Sequence, residues 1–136
     1  MSQQSLAQRR ATHAYGCVKE HIGKSYGNYV NYVERLPATI LMNGLGQACA
    51  TLLSKAKKED DVKNRDSGHL LLYKDLERWL CGSDDAVPYR GSSNLIEAII
   101  HRDQESYLRA QAEALAYLVW LKKFANAYLQ KGEGDE

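Results

Sequence analysis

Proline, cysteine and long apolar runs are all scarce in this chain of 136 residues, and each shortage excludes a class of protein. Only Pro37 and Pro88 interrupt the sequence, so long stretches are free to form helices. Cys17, Cys49 and Cys81 are odd in number and far apart, which argues against a disulfide framework or a zinc knuckle and favours a reducing compartment. No apolar run approaches the roughly 20 residues that span a bilayer.

The remaining composition favours helices. There is one phenylalanine against nine tyrosines, and Ala, Leu, Lys, Glu and Gln are abundant. The opening segment MSQQSLAQRR has no apolar core of a signal peptide, so we expect a cytoplasmic protein without membrane contact. We expect an all-α fold, a compact bundle of about six helices, in one domain over residues 1–132, with an acidic tail at 133–136.

Charge is distributed unevenly, although the whole chain carries only +1. Residues 1–58 hold eight Lys or Arg and two acids, a net charge of +6, while residues 59–136 hold ten bases and fifteen acids, a net charge of −5. Such asymmetry favours a polyanion on one face and a basic protein neighbour on another, although a solvated mixed surface is an equal alternative.

Apolar residues recur at helical spacing along most of the chain. This pattern predicts helices over residues 4–22, 25–36, 37–57, 69–81, 94–100 and 103–130. The first helix is expected to bury one stripe, made of Ala7, Ala11, Tyr15, Val18 and Ile22.

Two features set the expected boundaries and centre of the bundle. Pro37 should end the second helix and begin the third, and the charged stretch 58–68 should be a mobile loop. The last helix is apolar on nearly every side between Leu115 and Phe124, which predicts a long C-terminal helix at the centre of the bundle.

Gly44 and Gly46 lie inside the predicted third helix, among the small residues Ala48 and Ala50. Each interior glycine costs a helix roughly 1 kcal/mol relative to alanine. We therefore expect another backbone to approach at least one of them, either within the chain or as a subunit contact.

The sequence offers few candidates for catalysis. His13, Cys17 and His21 follow one another at four-residue spacing, but the outer two are about 12 Å apart along a helix and cannot share one ion. Asp84 and Asp85, like residues 60 and 61, form an adjacent acidic pair without a supporting motif. We predict no catalytic residue, no metal and no cofactor.

Aromatic and basic residues suggest a nucleic-acid partner instead. Tyr26, Tyr29 and Tyr32 lie between Lys24 and Arg35 and could stack on bases, although core packing is favoured at Tyr29. The candidate phosphate-binding residues are Arg9, Arg10, Lys19, Lys55, Lys57, Lys58, Lys122 and Lys123.

Two segments resemble a known family. LPATILMNGLGQACATLL is similar to the Leu-Pro…Asn-Gly-Leu helix of the Cmr small subunit from type III-B CRISPR effector complexes, and YLRAQAEALAYLVWLKKFANAYL resembles that family's C-terminal helix. RRATHAYGCV also fits the family's opening helix. Together these segments cover about half of the chain, in the order and at the spacing of the family.

The resemblance implies a function in antiviral defence. It implies a non-catalytic subunit whose copies stack as a minor filament beside a backbone subunit and a large subunit, with guide RNA and target RNA between the filaments. Target cleavage would belong to other subunits. The residues alone leave three alternatives open: a protein-only helical adaptor, a small RNA-binding domain without a CRISPR role, and a small helical ribonuclease.

Overall fold

The computed structural model describes residues 3–24, 28–63 and 67–132, and within residues 59–63 it describes the backbone only. These ranges form six α-helices and no strand. The helices are α1 (Leu6–His21), α2 (Tyr29–Asn43), α3 (Leu45–Lys63), α4 (Gly68–Leu80), α5 (Leu95–His101) and α6 (Gln104–Tyr128). The expected all-α bundle is confirmed.

Short polar side chains fix the beginnings of several helices. Ser5 accepts a hydrogen bond from the backbone N–H of Gln8, whose side chain accepts one from Ser5 in return. The side chains of Ser67, Asn94 and Asp103 cap α4, α5 and α6 by accepting hydrogen bonds from backbone N–H groups of the first turn. These caps satisfy donors that have no partner inside the helix, and they explain why three of the predicted helix starts were nearly correct.

The predicted boundary at Pro37 is wrong. Pro37 lies inside α2, and the helix ends at Gly44, where φ is +88°. A helical proline removes one backbone donor, but Val33, Leu36 and Ile40 around it are buried, and their packing offsets that loss. Gly44 ends α2 because a positive φ is readily adopted only by glycine.

The predicted loop at 58–68 is wrong over most of its length. The helix α3 continues to Lys63, and α4 begins at Gly68, while residues 64–66 lie outside the described ranges. No glycine or proline lies between Gly46 and Gly68, and the Lys and Glu residues of this stretch are good helix formers. The high charge of this stretch therefore did not indicate a break in the helix.

The C-terminal helix α6 occupies the centre, as predicted. It packs against α1, α2, α3 and α4, and Tyr117, Leu118 and Leu121 are fully buried. Its apolar ring between Leu115 and Phe124 is only partly covered, however, because Val119 is 53% exposed.

The expected buried stripe of α1 is also wrong, except at Val18, which is buried. Ala7, Tyr15 and Ile22 face solvent, and the helix instead buries a rotated face made of Ala14, Cys17, Val18 and His21. A histidine can occupy a core position when a buried acceptor is available, and sequence periodicity treats it as polar.

The tyrosines of α2 belong to the core. Tyr29 is 3% exposed, which confirms the packing interpretation, and Tyr32 stacks on His69 at 3.7 Å between ring centroids. Tyr26 lies outside the described residues. No helix in the described ranges is long and apolar enough to cross a membrane.

Candidate nucleic-acid interface

Three lysines of α3 form an exposed basic cluster, here called the α3 cluster: Lys55, Lys57 and Lys58. The helix buries Ala48, Leu52 and Ala56 against its neighbours, and this register turns the lysines outward. Among the described side chains, none of the three forms an ion pair. Phosphate oxygens could therefore approach these three ammonium groups without displacing any carboxylate of the described side chains.

The other predicted lysines lie elsewhere. Lys19 is exposed on α1, with its ammonium nitrogen 5.5 Å from the centroid of the Tyr15 ring. Lys122 and Lys123 are exposed on α6, at the rim of an apolar groove. Because α1 packs on α4 and α6 whereas α3 packs chiefly on α2, α4 and α5, the predicted residues occupy separate surfaces rather than one continuous basic face.

Arg9 and Arg10 are engaged within the chain. Arg9 Nε donates to Asp84 Oδ2 at 2.7 Å, which lowers the pKa of that carboxyl group. Arg10 donates from Nε and Nη2 to the two carboxylate oxygens of Glu113, at 2.7 and 2.8 Å. Their guanidinium groups are already neutralised by acids, so a phosphate would have to displace a carboxylate. RNA contacts at these two arginines stay a prediction.

Gly44 and Gly46 are both in contact with side chains of the same chain. A Cβ at Gly44 would lie 2.9 Å from the hydroxyl oxygen of Tyr107, and one at Gly46 would lie 3.3 Å from Cγ2 of Ile99. The Gly46 N–H also donates to the Tyr107 hydroxyl at 3.0 Å. The close approach is thus to side chains of α5 and α6, and the expectation of a nearby backbone is wrong. A subunit contact at these glycines stays a prediction.

The histidine and cysteine of the middle of α1 take part in packing. His13 Nδ1 lies 2.7 Å from the Tyr117 hydroxyl oxygen, and Cys17 Sγ lies 3.6 Å from the same atom. Burial raises the pKa of the Cys17 thiol to about 12 and lowers the pKa of His13. At neutral pH the thiol is therefore protonated, which makes it a poor nucleophile and a poor metal ligand.

The remaining candidates for chemistry have partners of their own. His21 Nε2 lies 2.9 Å from Asp75 Oδ2, and Asp85 pairs with Arg90 at 2.8 Å. In the parts of the chain that the structure describes, no three His, Cys, Asp or Glu side chains are grouped as metal ligands.

Comparison with known proteins agrees with this architecture. The family model described as CRISPR-associated protein (Cas_Cmr5) matches residues 6–128. The chain belongs to the Cmr5 family. A Thermus thermophilus protein named CRISPR system Cmr subunit Cmr5 is 30% identical over 122 residues, which cover 89% of this chain and 93% of the relative.

A solved Cmr5 structure has the same fold. The crystal structure of a CRISPR-associated Cmr5 family protein from Thermus thermophilus is 28% identical in sequence and superposes with a TM-score of 0.69, over 93% of this chain and all of that one. The resemblance to the Cmr small-subunit family, drawn from three helical segments, is confirmed.

Two buried carboxylates form hydrogen bonds between helices of this Cmr5-family bundle, and sequence analysis missed both. Asp75 is fully buried and accepts hydrogen bonds from Tyr29 at 2.6 Å and from His21. Glu113 is 8% exposed and accepts a bond from Trp79 Nε1 at 2.8 Å in addition to those from Arg10. The helical periodicity could have indicated that both acids are buried, because each acid lies at a core position of its own helix.

Proposed function

We propose that this Cmr5-family chain is a non-catalytic small subunit of a type III-B CRISPR Cmr effector complex. In this proposal, copies of the chain stack as a minor filament beside a backbone subunit and a large subunit. The filament contacts the sugar–phosphate backbone of guide RNA and target RNA and acts in the cytoplasm. The membership of the Cmr5 family supports the assembly, and the exposed α3 cluster is the observation that supports the RNA contact.

The α3 cluster suits a backbone contact rather than base recognition. Lys55 and Lys58 are three residues apart and share one side of α3, with Lys57 beside them. A lysine ammonium is a flexible point charge, whereas base recognition usually needs a planar, bidentate group. We therefore propose a contact that is independent of RNA sequence, supplemented by Lys19.

The side chains of α1 that could act in catalysis are buried or in contact with partners inside the bundle, which supports a non-catalytic role. Cys17 is buried with a raised pKa, while His13 and His21 contact Tyr117 and Asp75. A general base needs to reach a substrate proton, and these side chains are held by partners inside the bundle.

The test uses the assembled complex with Lys55→Gln, Lys57→Gln and Lys58→Gln combined in every copy of the subunit. The affinity for target RNA is measured as a function of salt concentration. Each lost phosphate contact on single-stranded RNA should flatten the slope of log K against log salt by about 0.7. The loss should be the same for unrelated RNA sequences.

A matched control removes the same charge from residues that already have acidic partners. Lys74, Arg90 and Lys131 pair with Glu77, Asp85 and Glu34 respectively, and all three change to Gln in the control. An equal loss of affinity in both triple variants would show a net-charge effect and contradict the α3 assignment. If the α3 variant has the same RNA affinity and the same salt dependence as the wild-type complex, the protein-only adaptor is favoured.

A further inference from the structure

An apolar groove remains open between α2 and α6. It has a volume of about 620 Å³, and its lining includes Pro37, Leu115 and Val119 together with Lys122 and Lys123. Val119 is 53% exposed, and Leu41, one turn beyond Pro37 on α2, is 70% exposed. An exposed apolar groove with charged side chains in its lining is typical of a protein-binding site.

A complementary surface lies where α5 meets α6. Ile100 is 66% exposed at the end of α5, and three exposed acids surround it in sequence: Glu97, Asp103 and Glu105. The exposed base Arg102 is also nearby and keeps its positive charge over the Tyr89 ring, with its guanidinium carbon 5.8 Å from the ring centroid, so the three acids leave a net charge of −2. We call this surface the Ile100 knob. It offers one apolar side chain in an acidic setting, whereas the groove offers apolar walls with two lysines.

The two surfaces are too far apart to meet within one molecule. Glu105 and Lys122 lie on the same straight helix and are separated by roughly 26 Å, at 1.5 Å per residue. Since one surface is near the start of α6 and the other is near its end, a contact between them joins different copies head to tail. Such a heterologous contact extends into a line of subunits unless its rotation closes a ring.

We propose that the Ile100 knob of one copy docks in the α2–α6 groove of the next copy. Ile100 packs in the apolar groove beside Val119, and the acids around the knob face Lys122 and Lys123. This inference rests on the proposed stacking of copies and assigns that contact to particular surfaces. It also gives Lys122 and Lys123 a protein partner instead of the RNA that the sequence suggested.

The first experiment is analytical ultracentrifugation of the full chain at concentrations up to roughly 1 mM. At such concentrations a contact can be detected even if it is weak in isolation and is strengthened by avidity in an assembly. The wild-type chain should associate without stopping at a dimer. Val119→Asp, in the groove, and Ile100→Asp, on the knob, should each weaken association by roughly tenfold or more. Both positions are exposed, so the variants should remain folded, as circular dichroism can check.

Mixing the two variants distinguishes a head-to-tail contact from any symmetric one. The Ile100→Asp chain retains its groove, and the Val119→Asp chain retains its knob, so the equimolar mixture should form a dimer and nothing larger. Ile22→Asp is the matched control, because Ile22 is 50% exposed on α1, outside both surfaces. Long assemblies in the mixture, a monomeric wild type at the highest concentration, or an equal effect of the control would overturn the proposal.

Cross-linking in the assembled complex separates this proposal from the proposed function. The native Cys17, Cys49 and Cys81 are buried, so cysteines introduced at Ile100 and Val119 are the accessible thiols for a short bismaleimide. A ladder of linked copies supports docking. Neighbouring copies without cross-links would contradict these surfaces alone, whereas a complex without neighbouring copies would contradict the proposed filament. Loss of RNA affinity with intact association in Lys122→Glu and Lys123→Glu would return these lysines to the RNA.

Discussion

Arg10 and Glu113 are 103 positions apart in sequence and form a bidentate ion pair between α1 and α6. The same carboxylate accepts a hydrogen bond from Trp79 of α4. One acid therefore connects three helices, and its side chain is 8% exposed. In surroundings this poor in water, a carboxylate is tolerated because each of its oxygens has a donor.

The first prediction concerns the loss of this acid. Glu113→Ala leaves the Arg10 guanidinium, which is 20% exposed, and the buried Trp79 N–H without their acceptor. Removing one partner of a buried ion pair costs about 3–5 kcal/mol, and the partial exposure of Arg10 places the expected loss near 3 kcal/mol. Urea denaturation measures the free energy of unfolding.

An exposed ion pair provides the control for Glu113. Asp85→Ala removes the partner of Arg90, and the two side chains are 87% and 59% exposed. This change should cost under about 1 kcal/mol. If Glu113→Ala costs no more than Asp85→Ala, the three-helix connection does not stabilise the fold.

The second prediction separates Gly44 from an ordinary helical glycine. Gly44 has φ +88° and ψ 157°, and a Cβ would lie 2.9 Å from the Tyr107 hydroxyl oxygen. Gly44→Ala should therefore destabilise the chain by roughly 1–3 kcal/mol. A Cβ at Gly16, within α1, would meet no neighbouring atom within 4 Å, so Gly16→Ala should stabilise by about 0.4–1 kcal/mol. Thermal unfolding of both variants checks the opposite signs.

The third prediction concerns acid sensitivity. Burial, followed by the positive charge of Arg78, lowers the pKa of His13 below its ordinary value of 6.5. As pH falls below 6.5, the unfolded chain protonates this histidine while the folded chain does not, so stability decreases until the pH passes the folded pKa. His13→Gln should reduce the slope of unfolding free energy against pH by up to about 1.4 kcal/mol per pH unit in that window.

The exposed His101 is the matched control for removing one histidine. The effect of His13→Gln on the slope should exceed that of this control, His101→Gln. Chemical denaturation at several pH values between 6.5 and 5 gives both slopes. Equal slopes in the two variants would mean that His13 titrates alike in folded and unfolded chains.

The fourth prediction compares the two tryptophans. Trp79 is 4% exposed, donates to Glu113, and stacks on Tyr117 at 5.4 Å between ring centroids. Trp120 is only half-buried on α6. Trp79→Ala should cost about 3–5 kcal/mol, and Trp120→Ala should cost clearly less. Similar losses in denaturation experiments would contradict the burial of these two side chains.

The sequence alone determined the class of the fold, because helical periodicity and scarce proline are local properties. Caps such as Asn94 and Asp103 act within three residues of their own position, so the starts of α5 and α6 could be predicted directly. The family could also be recognised, because three helical segments kept their order and spacing. The sequence also indicated the lysines of the α3 cluster, which are exposed in the structure. Their contact with RNA stays a prediction.

Only the tertiary structure decided which helix faces are buried and which charges are free. The boundary at Gly44 rather than Pro37 depends on apolar packing around the proline, which offsets the lost hydrogen bond. Arg9 and Arg10 find their acids 75 and 103 positions away, across helices that local patterns cannot bring together. A charged side chain is interpreted as solvent-facing from sequence, and it becomes part of the core only when the fold supplies its partner.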